Sequence, residues 1–176
     1  MTVHRMLSLA ACCLVATTGT IDAQESPYAD HTNRRIKALS AEEIVALETG
    51  AGMGLALAAE LNGYPGPRHV LELADDLELT EEQRRQTQAM FETMQATAIR
   101  IGRDIILEEA RLDTLFSAGT ITESALEASV ARIAESQGKL RAVHLSTHLT
   151  MRALLSTHQA NLYNQLRGYA AGHQHD

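Results

Sequence analysis

Leu79-Thr80-Glu81-Glu82-Gln83 and Leu155-Ser156-Thr157-His158-Gln159 bracket the stretch that decides the fold. Each reads as a capping box. A Thr or Ser at the N-cap accepts from the backbone N–H three residues on, and the Gln at that position reaches back to the N-cap's own N–H. Glu81 and Glu82 fall in the first turn, where the helix dipole favours negative charge. Beyond them apolar residues recur at Phe91, Met94, Ala98, Ile101, Ile105, Leu112 and Leu115, a heptad-like seam with a polar interruption at Glu108. The pattern predicts a helix from Glu81 to Ser117, about 55 Å long, with Gly102 as its only glycine. Ala118-Gly119-Thr120-Ile121-Thr122 reads as a turn, with Gly119 suited to the left-handed position after the helix. A second long helix begins near Glu123, with its seam at Leu126, Val130, Ile133, Gln137, Leu140, His144, Thr147, Met151 and Leu154. Two long amphipathic helices joined by a short turn make an antiparallel hairpin, here about residues 80–155. A short last helix follows the second capping box through Leu162 and Leu166 to Gly168. The fold class is all-α.

Upstream, Ser40-Ala41-Glu42-Glu43 is a third capping box, starting a short helix that ends at Gly50. A second short helix is expected over Leu55–Asn62. Pro67, after the turn Tyr64-Pro65-Gly66, is well placed as the first residue of a third helix through Asp76. The helical domain therefore spans 40–169. Gly50-Ala51-Gly52-Met53-Gly54 is not a phosphate loop, because no strand precedes it and its spacing is wrong for a dinucleotide fingerprint. Residues 24–39 are polar, with Pro27, Arg34, Arg35 and Lys37, and read as a mobile arm. Residues 170–176 form a histidine-containing tail.

The first 23 residues read as an export signal. Arg5 supplies the positive start, Met6–Ala16 the apolar run, and Ile21-Asp22-Ala23 the small-residue exit. The run is shorter than the roughly 20 residues a membrane-spanning helix needs, so no membrane span is expected after cleavage, and the expected location is the periplasm. An alternative is a lipoprotein box at Leu9-Ala10-Ala11-Cys12, which would acylate Cys12. Cleavage after Ala23 removes both cysteines, Cys12 and Cys13, leaving a chain that uses no disulfides. The net charge of −7 survives cleavage, because Arg5 and Asp22 leave together. Such a balance excludes a sequence-independent grip on nucleic acid or anionic lipid. With 3% aromatic residues and no Trp, the chain also lacks the means for a base-stacking platform.

Two Leu-Thr-x-x-Gln motifs flanking a helical hairpin behind an export signal resemble the Spy/CpxP family. That family includes zinc-resistance-associated proteins and periplasmic heavy-metal sensors. The resemblance covers roughly His69 to Tyr169 and rests on Leu79, Thr80, Gln83, Leu155, Ser156 and Gln159, with Ser156 standing where the motif usually has Thr. It implies a non-enzymatic periplasmic stress protein and homodimer. Such a protein would be an ATP-independent chaperone for unfolded envelope proteins, a partner of a membrane stress sensor, or a metal-binding sensor or resistance protein. Family chaperones offer clients a concave surface mixing basic and apolar groups, and the acidic balance of this chain departs from that.

Several residues are candidates for chemistry. His144 and His148, four apart on one helical face, have Met151 a turn further on. Imidazoles with thioethers suit zinc or copper, although packing at the hairpin seam accounts for the same residues. The hairpin register also brings Met90 and Met94 near them. His173 and His175 in the tail form a second candidate set. No cofactor is required by any motif. Met90, Ile99, Ile106 and Leu149, flanked by Arg100 and Arg103, are left over from the seams and form the expected client or partner surface. With no nucleophile elbow, and carboxylates spread over amphipathic helices, an enzyme is not expected.

Overall fold

A computed structural model describes residues 26–169. The expected export signal with Cys12, the first residues of the expected arm, and the tail with His173 and His175 lie outside the described residues. Six α-helices follow a short 3-10 turn at Ala29–Asn33: α1 (Ala41–Thr49), α2 (Leu57–Glu60), α3 (Pro67–Glu72), α4 (Glu81–Ser117), α5 (Glu123–Leu154) and α6 (Thr157–Leu166). No strand is present among the described residues. α4 and α5 pack along each other as the hairpin, and α1, α2 and α3 lie against it. No described helix is long and apolar enough to cross a membrane.

Local chemistry sets the helix boundaries. Ser40, Thr80 and Ser156 each form a complete capping box, with Glu43, Gln83 and Gln159 as the returning side chains. Thr122 caps α5 through the N–H of Ala125. Gly119 carries the left-handed φ of +63° that lets the chain leave α4 and turn.

The two Leu-Thr/Ser-x-x-Gln motifs also meet each other. Gln83 donates to Gln159 Oε1 at 2.9 Å, and Gln159 donates to Gln83 Oε1 at 3.1 Å. Each amide nitrogen also reaches a carbonyl of the opposite segment, Gln83 that of Leu154 and Gln159 that of Leu77, both at 3.2 Å. The motif leucines, Leu79 and Leu155, are buried in one apolar cluster with Val70, Ala74, Leu77, Met151 and Tyr163. This cluster joins α3 and α6 to the open end of the hairpin. A second cluster, Leu47 with Ala98, Ile101, Ile105 and Leu140, seats α1 on the middle of the hairpin.

Three expectations change. The arm is not loose over its described part: Ile36 is buried and Lys37 reaches Asp113 at 3.6 Å. One isoleucine in a polar segment is enough to bring it to the protein surface, and a cation helps to hold it there. The third helix stops at Glu72 rather than Asp76, and the residues up to Glu78 form turns. The seam of α5 also differs near the hairpin turn. Leu126, Val130 and Gln137 are exposed, whereas Ser129, Ile133, Leu140, His144, His148 and Met151 are buried. A straight helix drifts from a strict heptad by ~20° per repeat, and small Ser129 takes the inward place beside the Arg132–Glu108 pair at 2.9 Å.

Gly102 explains how closely α1 approaches α4. A Cβ there would lie 2.3 Å from the carbonyl oxygen of Leu47, a backbone atom that cannot turn aside. Gly138 in α5 has open space around its own Cβ direction. Gly138→Ala is therefore expected to stabilise the protein by ~0.5–1 kcal/mol. Gly102→Ala, the same change in the same kind of helix, is expected to destabilise it by ~1–3 kcal/mol through overpacking. Urea unfolding of both variants checks the pair, and equal effects would contradict the close approach.

Candidate functional site

Two places on the molecule carry more than structural chemistry: a cavity against α5, and the apolar surface of the hairpin. The cavity, about 410 Å³, lies under the glycine loop between α1 and α2 and is lined by α4 and α5 as well. Phe91, Met94 and Met53 give it an apolar wall, and Glu60, His144 and His148 give it polar groups. Met53 has a φ of +43°, a left-handed conformation that a side-chain-bearing residue adopts at a cost.

Glu60, the last residue of α2, is 7% exposed and is surrounded by donors. Its carboxylate accepts from the Tyr163 hydroxyl, from Tyr169 Oη at 3.3 Å and from the Gly66 N–H at 3.1 Å. Arg167 Nε lies 3.9 Å away and His148 Nδ1 3.6 Å away. Burial, and then the Glu60 carboxylate, push the Tyr163 hydroxyl well above the usual phenol range. Tyr163 therefore stays protonated and donates. This network ties α2, α5 and α6 together, so a buried carboxylate is tolerated because its lone pairs are met.

The histidines behave differently from each other. His148 Nδ1 lies 2.7 Å from the Tyr64 carbonyl oxygen. A carbonyl only accepts, so Nδ1 carries a proton and donates it. His144 is 3% exposed, and its Nε2 has no hydrogen-bond partner. Burial lowers the His144 pKa, and the neighbouring His148 lowers it further. His144 is therefore held neutral at pH 7.

The expected metal set does not assemble as a whole. His144 and His148 share the cavity and Met94 lines it, but Met151 is sealed in the apolar cluster with Val70 and Tyr163. Among the described residues no three His, Cys, Asp or Glu side chains are grouped so as to hold a metal ion. A zinc or copper site on His144, His148 and Met151 does not fit this arrangement.

The expected client surface is divided. Ile106 packs against the Leu47 cluster, and the Ile99 side chain lies beside Gly50 of the α1 terminus, so α1 takes both from the free stripe. Met90 is half-buried in a groove with Thr93, Thr97, Val143 and Thr150. Leu149, Arg100 and Arg103 are exposed, with Arg100 3.8 Å from Asp104 one turn on. Sequence reasoning did not single out Phe116, and it placed Leu126 and Val130 inside the seam. All three lie between the Glu108–Arg132 pair and the hairpin turn, with Phe116 55% and Val130 50% exposed. It also missed Glu60 and Tyr163, whose contact spans 103 residues of sequence.

No protein-family model matches the chain, and no curated protein or solved structure matches it either. The likeness to Spy/CpxP proteins therefore stands on the motifs alone.

A buried neutral histidine makes stability depend on pH. Its folded pKa lies below the unfolded value of about 6.5, so the unfolded chain takes up the proton first. The stability it permits is complete above that pH and is lost as pH falls through the folded pKa. Urea unfolding at pH 7.5 and 5.5 is expected to show a smaller loss on acidification in His144→Leu than in the unaltered protein. Equal losses would contradict a neutral, buried His144.

Proposed function

We propose that this chain is a non-enzymatic envelope stress protein of Spy/CpxP type, which holds partly unfolded proteins without ATP. The observation that carries this reading is the apolar surface left open at the closed end of the hairpin. Phe116, Leu126 and Val130 are exposed there, whereas the middle of the hairpin is covered by α1. Large side chains held out on a rigid pair of helices offer an unfolded chain apolar contact without any change in the holder. Arg111, Glu123 and Glu127 are exposed on the same stretches of the two helices, and surface charge steers encounter and keeps the complex soluble. Paired motifs that fix the helices, together with the export signal, support the same reading and a periplasmic location.

Light scattering tests it directly. The protein at stoichiometric ratio is expected to suppress aggregation of a chemically unfolded client without nucleotide. Phe116→Ser/Val130→Ser, which alters only exposed positions, is expected to roughly halve that protection while far-ultraviolet helicity stays unchanged. No suppression by the unaltered protein would sink the chaperone reading.

A further inference from the structure

One face of the hairpin is covered by the N-terminal helices over most of its length and left open near the turn. Ala98 of α4 lies beside Gly50 of the α1 terminus, and His148 of α5 meets the Tyr64 carbonyl. Phe116 lies about five helical turns beyond Ala98, and Val130 about five before His148. Both therefore continue the covered face, yet both are exposed, as is Leu126 one turn from Val130.

The charge at this end is one-sided. Residues 104–135 carry seven Asp or Glu against two Arg. Asp104, Glu108, Asp113 and Glu135 each have a cation beside them. Among the described residues, Glu109, Glu123 and Glu127 have none. Glu109 is one turn from Asp113 and two from Phe116 on the same face of α4. Burial holds its carboxyl above the usual carboxylate range, a cost that an incoming cation relieves. Glu123 and Glu127 are exposed and stand three residues before Leu126 and Val130, within reach of the same stripe of α5.

The chain itself shows what seats on such a surface. In Arg34-Arg35-Ile36-Lys37, a basic and apolar stretch of the arm, Ile36 is buried and Lys37 reaches Asp113. Phe116, less than a turn further along α4, stays exposed. A second copy of the chain is a poorer occupant. The longest stretch without a carboxylate, residues 136–175, has four Lys or Arg. Of these, Lys139 is held by Glu135, Arg152 by the Leu155 carbonyl, and Arg167 lies beside Glu60, which leaves Arg141.

Resting on the holding role given above, we propose that the closed end of the hairpin docks a cationic amphipathic segment of a partly unfolded chain. Its large apolar side chains pack on Phe116, Leu126 and Val130, and its Lys or Arg side chains meet Glu109, Glu123 and Glu127. Basic clients are thereby held in preference to acidic ones.

The probes are a labelled peptide repeating Leu-Lys-Lys-Leu-Ala-Lys-Ala and its twin with Glu for every Lys, followed by fluorescence anisotropy on the purified protein. The Lys peptide is expected to bind at least about tenfold tighter than the Glu peptide at low salt, and to weaken as salt is raised. Glu123→Gln/Glu127→Gln is expected to lower its affinity at least about threefold. Asp76→Asn/Glu78→Gln, the same charge change at exposed positions of the open end, is expected to leave it unchanged. Equal binding of the two peptides overturns the proposal, and that comparison needs only the unaltered protein. An equal loss in both variants also overturns it, because attraction to net charge alone would then account for binding. Size exclusion with light scattering checks the other occupant: an oligomer that dissociates in Glu123→Gln/Glu127→Gln gives this face to a second copy, against the proposal. Failure to suppress client aggregation with the Lys peptide still preferred would sink the holding role and support the docking site.

Discussion

The reciprocal pair of amides between Gln83 and Gln159 is the constraint from which the rest of the molecule is arranged. Each glutamine serves two purposes with one side chain. Its oxygen accepts from its own N-cap, Thr80 or Ser156, at 3.0 Å. Its nitrogen donates to the other glutamine and to a carbonyl of the opposite segment. A Glu would complete the capping box equally well, but it has no N–H to give. The requirement for Gln at both motifs is therefore tertiary as well as local. Because the clasp fixes where α4 starts relative to where α6 starts, it also fixes Leu79 and Leu155 in one cluster.

Consequences run outward from that cluster. Tyr163 of α6 sits in it and presents its hydroxyl to Glu60 of α2. Glu60 and Tyr64 in turn stand beside His148 of α5. The cavity is thus bounded by elements far apart in sequence, with Glu60 held by Tyr163 and the Gly66 N–H and His148 by the Tyr64 carbonyl. At the other end of the hairpin no such third layer is present among the described residues beyond α1 and the Lys37–Asp113 contact. That difference leaves Phe116 and Val130 in solvent while Ile101 and Ile105 are covered. The −7 charge does not weigh against an apolar holding surface as such, since several of the arginines have acidic neighbours: Arg84 with Asp75, Arg100 with Asp104 and Arg132 with Glu108.

What the sequence made legible follows the range of the forces involved. The starts of α1, α4 and α6 were readable because a cap and its partner lie three residues apart, and the start of α5 from the Gly119 turn before it. The end of α4 was readable because Gly119 alone accepts the left-handed turn. The long hairpin followed from apolar periodicity. The inward face of α5 near the turn did not, because Ser129 is small and polar and Val130 is apolar, so hydropathy points to the wrong neighbour. Gly102 stood out only as the single glycine of α4, and its role needs Leu47 placed against it. Ile36 was not singled out in an arm read as polar. For the cavity, the spacing of His144 and His148 was a real signal of a shared face. The groups beside His148, Glu60 and Tyr64, and Tyr163 behind Glu60, came from other helices and turns, and no local pattern announces them. Met151 satisfied the spacing for a ligand set but is claimed by the apolar cluster.

A double-mutant cycle at the two motif glutamines tests this arrangement most directly. Gln83→Ala, Gln159→Ala and the double variant would be compared by urea unfolding. Either single change removes the amide–amide bonds, one cap return and the donor to one opposing carbonyl, so each is expected to cost ~1–3 kcal/mol. The double change is expected to cost less than the sum of the singles, with a coupling of at least ~1 kcal/mol. Additivity within ~0.3 kcal/mol would mean that the two motifs cap their helices separately, which would contradict the clasp.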